Sequence, residues 1–347
     1  MTGKAAVAGF PTIDRRAFLG LICALLVSRP PAAAAKDGLA SLDAKLGKAS
    51  DLPNWIRDPF LKRTLYRIRV NPLPETSGPA GANRDGFRWI EEQREGASWI
   101  TRGVVNSQWN WIVRGWRQLD WGLEHQDSDG GFTCDDAFHS TSFFVEALAR
   151  ACIVYPQGAT SKRLDALSAA CDWMKRPEIS AQGVQAAHLF AHRHFIIAAA
   201  FAQSALLTRD QGFFSTARAY ADAGIAGQWP DGTNPERGGF DVGYQMIGAI
   251  MALRYLAVLD QGPYREAVQN FIIATVKREL VQMREDGTID TSKSTRVGIE
   301  IGRGGIVKGP PYEEIFESLI YGAVAFGQDE WRQMAEKLAE SRNWIEG

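Results

Sequence analysis

The chain predicts an all-α protein: a ring or incomplete barrel of about five to six helical hairpins, an (α/α) toroid. Three observations carry this expectation. Apolar residues recur at helical spacing along most of the sequence, and alternating β-branched runs are nearly absent. A Gln-x-x-Asp-Gly turn also returns, at Gln126 and Gln228 and, with one residue more, at Gln282. The glutamines lie 102 and 54 residues apart, about two repeats and one repeat of a unit near 50 residues. A unit of that length holds two helices and their connections. An open solenoid of hairpins is the alternative.

Taken in order, the first residues read as an address. Asp14-Arg15-Arg16-Ala17-Phe18-Leu19 leads into an apolar run ending at Val27 and then Pro-Pro-Ala-Ala-Ala-Ala. This predicts a twin-arginine signal over 1–35, cleaved within Ala32–Ala35, and a periplasmic or secreted protein. The apolar run is about half of the roughly 20 residues a spanning helix needs, so no stable membrane insertion is expected. One domain then fills 36–347. Helices are expected near 55–68 and 84–96, followed by one from Trp99 to His125, whose Val105, Trp109, Ile112, Trp116, Leu119 and Leu123 mark a single face. Others follow near 138–155, 162–175, 184–207, 211–226, 242–260, 264–284, 312–326 and 328–345. The 26-residue connection from Asp286 to Pro311, with six glycines, is too long for a simple link and predicts a small β-hairpin near 296–308 over a cleft.

Composition narrows the function. Acids and bases nearly balance, 40 against 39. Loss of the leader removes four bases, Lys4, Arg15, Arg16 and Arg29, with one acid, Asp14, leaving a slight acidic excess. A nucleic-acid partner is therefore not expected. Cys134, Cys152 and Cys171 remain, an odd number without a Cys-x-x-Cys pair, so neither a disulfide framework nor a zinc site is expected; Cys152 and Cys171 lie in helix-like apolar patterns that predict buried free thiols, with one disulfide as the alternative.

Three polar clusters stand out. The first is Gln228-Trp-Pro-Asp-Gly-Thr-Asn-Pro-Glu-Arg-Gly-Gly-Phe-Asp-Val-Gly-Tyr-Gln245. It displays Glu236, Arg237, Asp241 and Tyr244 at the start of a helix, with Asp241 placed as an N-cap and Trp229 and Asp231 in the preceding turn. The second, Ala187 to Phe195, holds three of the five histidines, with His188 and His192 four apart on one helical face and Arg193 beside them. The Glu of metalloproteases is Leu189 here, and no metal centre is expected. The third, Glu124 to Thr141, contains Asp129, Asp135, Asp136 and His139. In a ring, the Asp-Gly turns would gather at one mouth and line one pocket. Among the 11 tryptophans, Trp109 and Trp116 fit a core stripe, whereas Trp111, Trp121 and Trp229 are candidates for stacking on sugar faces.

The pattern resembles the (α/α)-toroid carbohydrate enzymes, in particular polysaccharide lyases of the alginate and hyaluronate lyase type. Phe190-Ala-His192-Arg-His-Phe195 keeps the His and aromatic of their inner-helix motif but lacks its asparagines, and Tyr244 follows the Asp231-Gly232 turn at a different offset. The turns also resemble the repeats of terpene cyclases, without an acidic diphosphate-binding pair. The lyase resemblance implies a polysaccharide or oligosaccharide substrate, no obligatory cofactor, and β-elimination at a uronic acid residue. Arg237, or Arg193 or Arg303 in its place, would neutralise the carboxylate. His192 or Tyr244 would remove the C5 proton, and Tyr244 would protonate the leaving oxygen, with His188, His139, Asp129, Asp231 and Trp229 contacting substrate. Two alternatives remain at this point. One is a glycoside hydrolase using Asp129, Asp135 or Asp136 with Asp231, Glu236 or Asp241. The other is a non-catalytic exported glycan-binding or envelope-assembly protein.

Overall fold

The computed structural model describes residues 50–65, 89–302 and 305–344; the predicted export leader and Arg303 lie outside them. The protein is all-α. Two short helices, α1 (Leu52–Trp55) and α2 (Pro59–Arg63), precede α3 (Trp89–Glu92), α4 (Glu95–Asn106) and α5 (Trp109–Glu124). Then come α6 (Ala137–Val154), α7 (Ser161–Lys175), α8 (Pro177–Leu189), α9 (His192–Thr208) and α10 (Gln211–Gly227). The chain ends with α11 (Val242–Leu256), α12 (Pro263–Leu280), α13 (Tyr312–Phe326) and α14 (Asp329–Ser341). Extended structure among the described residues is limited to isolated bridges.

Burial separates the helices into two sets. α6, α9 and α11 are buried almost all round, as expected of helices whose apolar residues do not keep to one stripe. Each packs on the next, with α4 on one side of the row and α13 on the other. An outer helix lies against each: α5 on α4, α7 on α6, α10 on α9, α12 on α11 and α14 on α13. The amphipathic α4 and α5 meet through Gly96 and Gly115, where a Cβ on either residue would fall within 2.6 Å of the other's carbonyl oxygen.

Between the inner helices lies a polar seam. The carboxylate of Glu146 on α6 accepts from Arg150 at 3.0 Å and from Arg254 of α11 at 3.4 Å, and Arg254 reaches Glu317 of α13 at 3.2 Å. Burial alone would raise the Glu146 carboxyl, yet the two guanidiniums hold it below its ordinary range. Arg102 of α4 bonds Glu313 of α13, joining the two ends of the inner row.

The Gln-Asp-Gly turns act as staples between outer helices. In each, the Asp carboxylate accepts the backbone N–H two residues on: Asp129 from Gly131, Asp231 from Thr233, Asp286 from Thr288, all within 3.0 Å. The glycines adopt φ of +94°, +85° and +78° and lie so close to the following outer helix that a Cβ would meet a carbonyl oxygen of Ala169, Ala274 or Lys337 within 2.4 Å. Gln126 and Gln228 add side-chain bonds to the backbone of the same neighbours, at Ala166 and Phe271. These turns therefore join one hairpin to the next and do not line a common pocket; Asp129, Asp231 and Trp229 are engaged or exposed at these seams.

Two predicted helices are broken. The 99–125 helix divides at Ser107, which takes a left-handed φ of 56° while Gln108 N–H bonds the carbonyl of Gly103 at 2.8 Å. Trp109 thereby opens α5 and is 64% exposed, outside the core stripe assigned to it, whereas Trp116 is buried. The 184–207 helix divides at Phe190–Ala191. His188 and His192 consequently do not share a helical face: His188 is exposed at the end of α8 and His192 is buried at the start of α9. Cys134, Cys152 and Cys171 are free thiols; the latter two are buried, which pushes both up to about 12.

Candidate functional site

The break between α8 and α9 builds the site. At its corner the Ala191 N–H bonds the carbonyl of Pro235 at 3.3 Å, and the Arg237 N–H bonds that of Leu189 at 2.9 Å. Glu236-Arg237-Gly238-Gly239 is a tight turn with Glu236 N–H and Gly239 C=O 2.7 Å apart. Both central residues have positive φ, 51° at Arg237 and 80° at Gly238, the geometry of a type I′ turn. An arginine held there is strained by about 1–3 kcal/mol, a cost that recurs at functional sites. The Gly-Gly pair of the sequence thus turns the chain so that Glu236 points inward and Arg237 outward.

Asp241 fastens the third segment. It is fully buried and caps α11, accepting the N–H groups of Gly243 and Tyr244 at 3.0 Å. Its other oxygen accepts from Ser294 Oγ at 2.8 Å and from the N–H groups of Arg296 and Val297 at 2.7 and 2.8 Å. Its lone pairs are fully used. Asp241 is a clamp that fixes the 294–297 backbone over α11, not a group facing the cleft. The segment beyond it doubles back through Gly298 N–H to Lys308 C=O at 2.8 Å and Lys308 N–H to Glu300 C=O at 2.8 Å. Among the described residues, the predicted hairpin is therefore a turn-back with the bridge Ile301 to Val307 and no strand.

These segments enclose a cleft of about 990 Å³. Tyr244, Phe190, Arg193, Arg237, Arg296 and Lys308 line it, with Glu300, Asp136, Arg94 and the exposed face of α8 completing the wall. At its floor Lys308 Nζ donates to Tyr244 Oη at 3.0 Å, and the Arg296 guanidinium lies 3.6 Å from the Tyr244 ring centre. Lysine has no acceptor, so the hydroxyl oxygen accepts and its own proton points elsewhere. Beneath the tyrosine, the His192 ring lies 4.6 Å away, centre to centre, and is tilted by 42°. His192 Nδ1 shares a 2.6 Å bond with Glu236 Oε1, which also accepts the His192 backbone N–H, and Glu236 Oε2 accepts from Arg296 at 3.2 Å. Arg193, only 6% exposed, donates to Asp136 at 2.7 Å, and its Nε has no hydrogen-bond partner.

Of the predicted site residues, the structure brings together Tyr244, Arg237 and Arg193 on the cleft, with His192 and Glu236 as buried supports behind Tyr244. His139 is buried 6.1 Å from His192, ring to ring. Trp229, Asp231, Asp129 and His188 are not among the lining residues, because the Asp-Gly turns face the outer helices and α8 carries His188 away from the cleft. Trp111 packs edge-on to Trp99 and Trp121 onto His125, so the aromatic faces of the cleft are Phe190 and Tyr244. Sequence reasoning missed Arg296, Glu300 and Lys308 as a group with Tyr244. The available signal was a run of charges spaced among glycines in an overlong connection.

Among the described residues, no group of three His, Cys, Asp or Glu side chains is arranged to hold a metal, and no helix is long and apolar enough to cross a membrane. No protein-family model, curated protein or solved structure matches the chain.

Proposed function

We propose that the protein is an exported polysaccharide lyase that cleaves by β-elimination at a uronic acid residue. The observation that carries this reading is Tyr244, held between a buried His192–Glu236 pair and two cations on the floor of a large open cleft. Elimination needs a group that takes the C5 proton, a positive charge beside the carboxylate that makes this proton acidic, and a proton for the leaving oxygen. As Tyr244 Oη takes the C5 proton, its own hydroxyl proton passes to the departing glycosidic oxygen; the C5–H electrons form the C4=C5 bond, the C4–O bond breaks, and the tyrosine ends as it began. Lys308 supports the charge that develops on Oη during the exchange, and Arg296 and Arg237 face the carboxylate. His192 and Glu236 are positioning residues, buried behind the tyrosine.

The same proposal covers the architecture. Five packed helix pairs, with Arg102 and Glu313 joining the ends of the inner row, support an (α/α) toroid, and the leader at 1–35 supports export to the periplasm or beyond. A hydrolase reading is less favoured: Asp129 and Asp231 lie at the outer seams, Asp241 is saturated, and Asp136 is held by Arg193.

The test is incubation of the mature protein with uronate-containing and neutral polysaccharides, following ultraviolet absorbance of the unsaturated uronate together with new reducing ends. Absorbance and reducing ends should rise together on an acidic glycan. Tyr244→Phe should lower that rate by about 10²–10⁴-fold, the range for losing a general acid–base group, with glycan affinity unchanged. Reducing ends without absorbance mean hydrolysis. An undiminished rate in Tyr244→Phe removes the mechanism.

A further inference from the structure

Three cations of the cleft converge on one carboxylate of the chain itself. Glu300 Oε1 forms an ion pair with Arg237 at 2.8 Å and accepts from Arg296 at 3.1 Å, and Oε2 accepts from Lys308 at 2.6 Å. Lys308 is the same nitrogen that bonds Tyr244 Oη. A carboxylate in this position therefore lies one ammonium group away from the tyrosine hydroxyl. In a uronic acid, the carboxyl group and the proton lost in elimination sit on one carbon, so the two sites have to be adjacent in this way.

The segment that carries Glu300 is held by these ion pairs and by backbone hydrogen bonds within the turn-back and to Arg296. Ile299, Ile301, Ile306 and Val307 of the turn-back are all exposed, and Gly298, at φ +80°, precedes them. Little apolar burial opposes its release. Burial pushes the Glu300 carboxyl up, but hydrogen bonds from Arg296 and Lys308 outweigh this and hold it at about 2. It is an anion at any pH near neutrality.

We propose that Arg237, Arg296 and Lys308 form a carboxylate-binding subsite for an acidic sugar, and that Glu300 occupies it as a tethered substitute that the ligand's carboxylate displaces. This rests on the reading of the cleft as a uronate site, but concerns binding and not bond cleavage. Occupation by Glu300 reduces the competent fraction of the protein, so apparent affinity is lowered by that fraction. Glu300 is thus a built-in competitor that selects for ligands able to present a carboxylate.

The experiment is calorimetric titration of the mature wild-type protein and Glu300→Gln with uronate trisaccharides and with a neutral galactose trisaccharide. Glu300→Gln should bind the acidic trisaccharide more tightly, by about tenfold if Glu300 fills the subsite nine-tenths of the time, with no gain for the neutral one. In the wild type, amide hydrogen exchange of 299–302 should accelerate on adding the acidic trisaccharide and stay unchanged with the neutral one. This second measurement stands even if the variant fails to fold. Equal or weaker binding by a folded Glu300→Gln, slowed or unchanged exchange in the wild type, or no acidic binding by either protein overturns the proposal. Tighter acidic binding without unsaturated product keeps the subsite and removes β-elimination. Unsaturated product with unchanged affinity in Glu300→Gln does the reverse.

Discussion

Asp241 shows how one side chain can carry both a helix and a loop. It satisfies two N–H groups at the start of α11 and two more in the segment that brings Arg296 to the cleft. Asp241→Ala is expected to lose the cap, worth about 0.5–2 kcal/mol, and to strand buried N–H groups at about 1–3 kcal/mol each, measurable as a lower urea midpoint. If any fold survives, substrate affinity should fall as well, because the 294–297 backbone is no longer fixed. The capping role was legible from Asp followed by a helical run. The second set of partners was not, since it lies 53 to 56 residues away in sequence. Likewise, Tyr244 and Arg237 could be picked out by their density in one stretch, whereas Lys308 reaches Tyr244 across 64 residues. Local chemistry is written locally, and its long-range partners are fixed only by the fold.

Among the elements, the Asp-Gly turns matter for what their backbone touches. Gly232→Ala combines a left-handed φ with a Cβ 2.4 Å from the Ala274 carbonyl oxygen. Gly238→Ala meets a similar φ of +80° with no atom within 4 Å. The second substitution should cost about 1–2 kcal/mol, the left-handed penalty alone. The first should cost several kcal/mol, because backbone has to move. Chemical denaturation of the two variants separates conformational strain from docking. The turns themselves were legible from their repetition. Their placement was misjudged, because a repeated polar turn announces a shared position in the repeat and not the direction it faces. The breaks at Ser107 and Phe190 were hidden for a related reason. Apolar spacing continues through both, and neither corner contains a proline or glycine to mark it.

On the scale of the whole molecule, stability should depend on pH through buried groups of the inner helices. Burial, reinforced by Glu95 and Glu317 and opposed by Arg94, pushes Glu314 up to about 7. Burial also outweighs Arg102 at Glu313, raising it to about 8. Unfolded glutamates titrate at about 4.3, so above that pH the folded protein retains protons that the unfolded chain has lost, and stability falls as pH rises toward 8. His194 behaves oppositely. Burial lowers it to about 4, its Nδ1 has no partner, and between about pH 4 and the unfolded value of about 6.5 it makes stability rise with pH. From about 6.5 to 8 only the carboxylates contribute among these three. Urea midpoints should therefore decline over that interval, and Glu314→Gln should flatten the decline. The staples have a further consequence. They follow α5, α10 and α12, but α7 runs through Arg176-Pro177 directly into α8, the helix that walls the cleft. Bracing is thus unevenly distributed: three seams carry an Asp-Gly staple, and the junction of α7 with α8, the wall of the cleft, carries none.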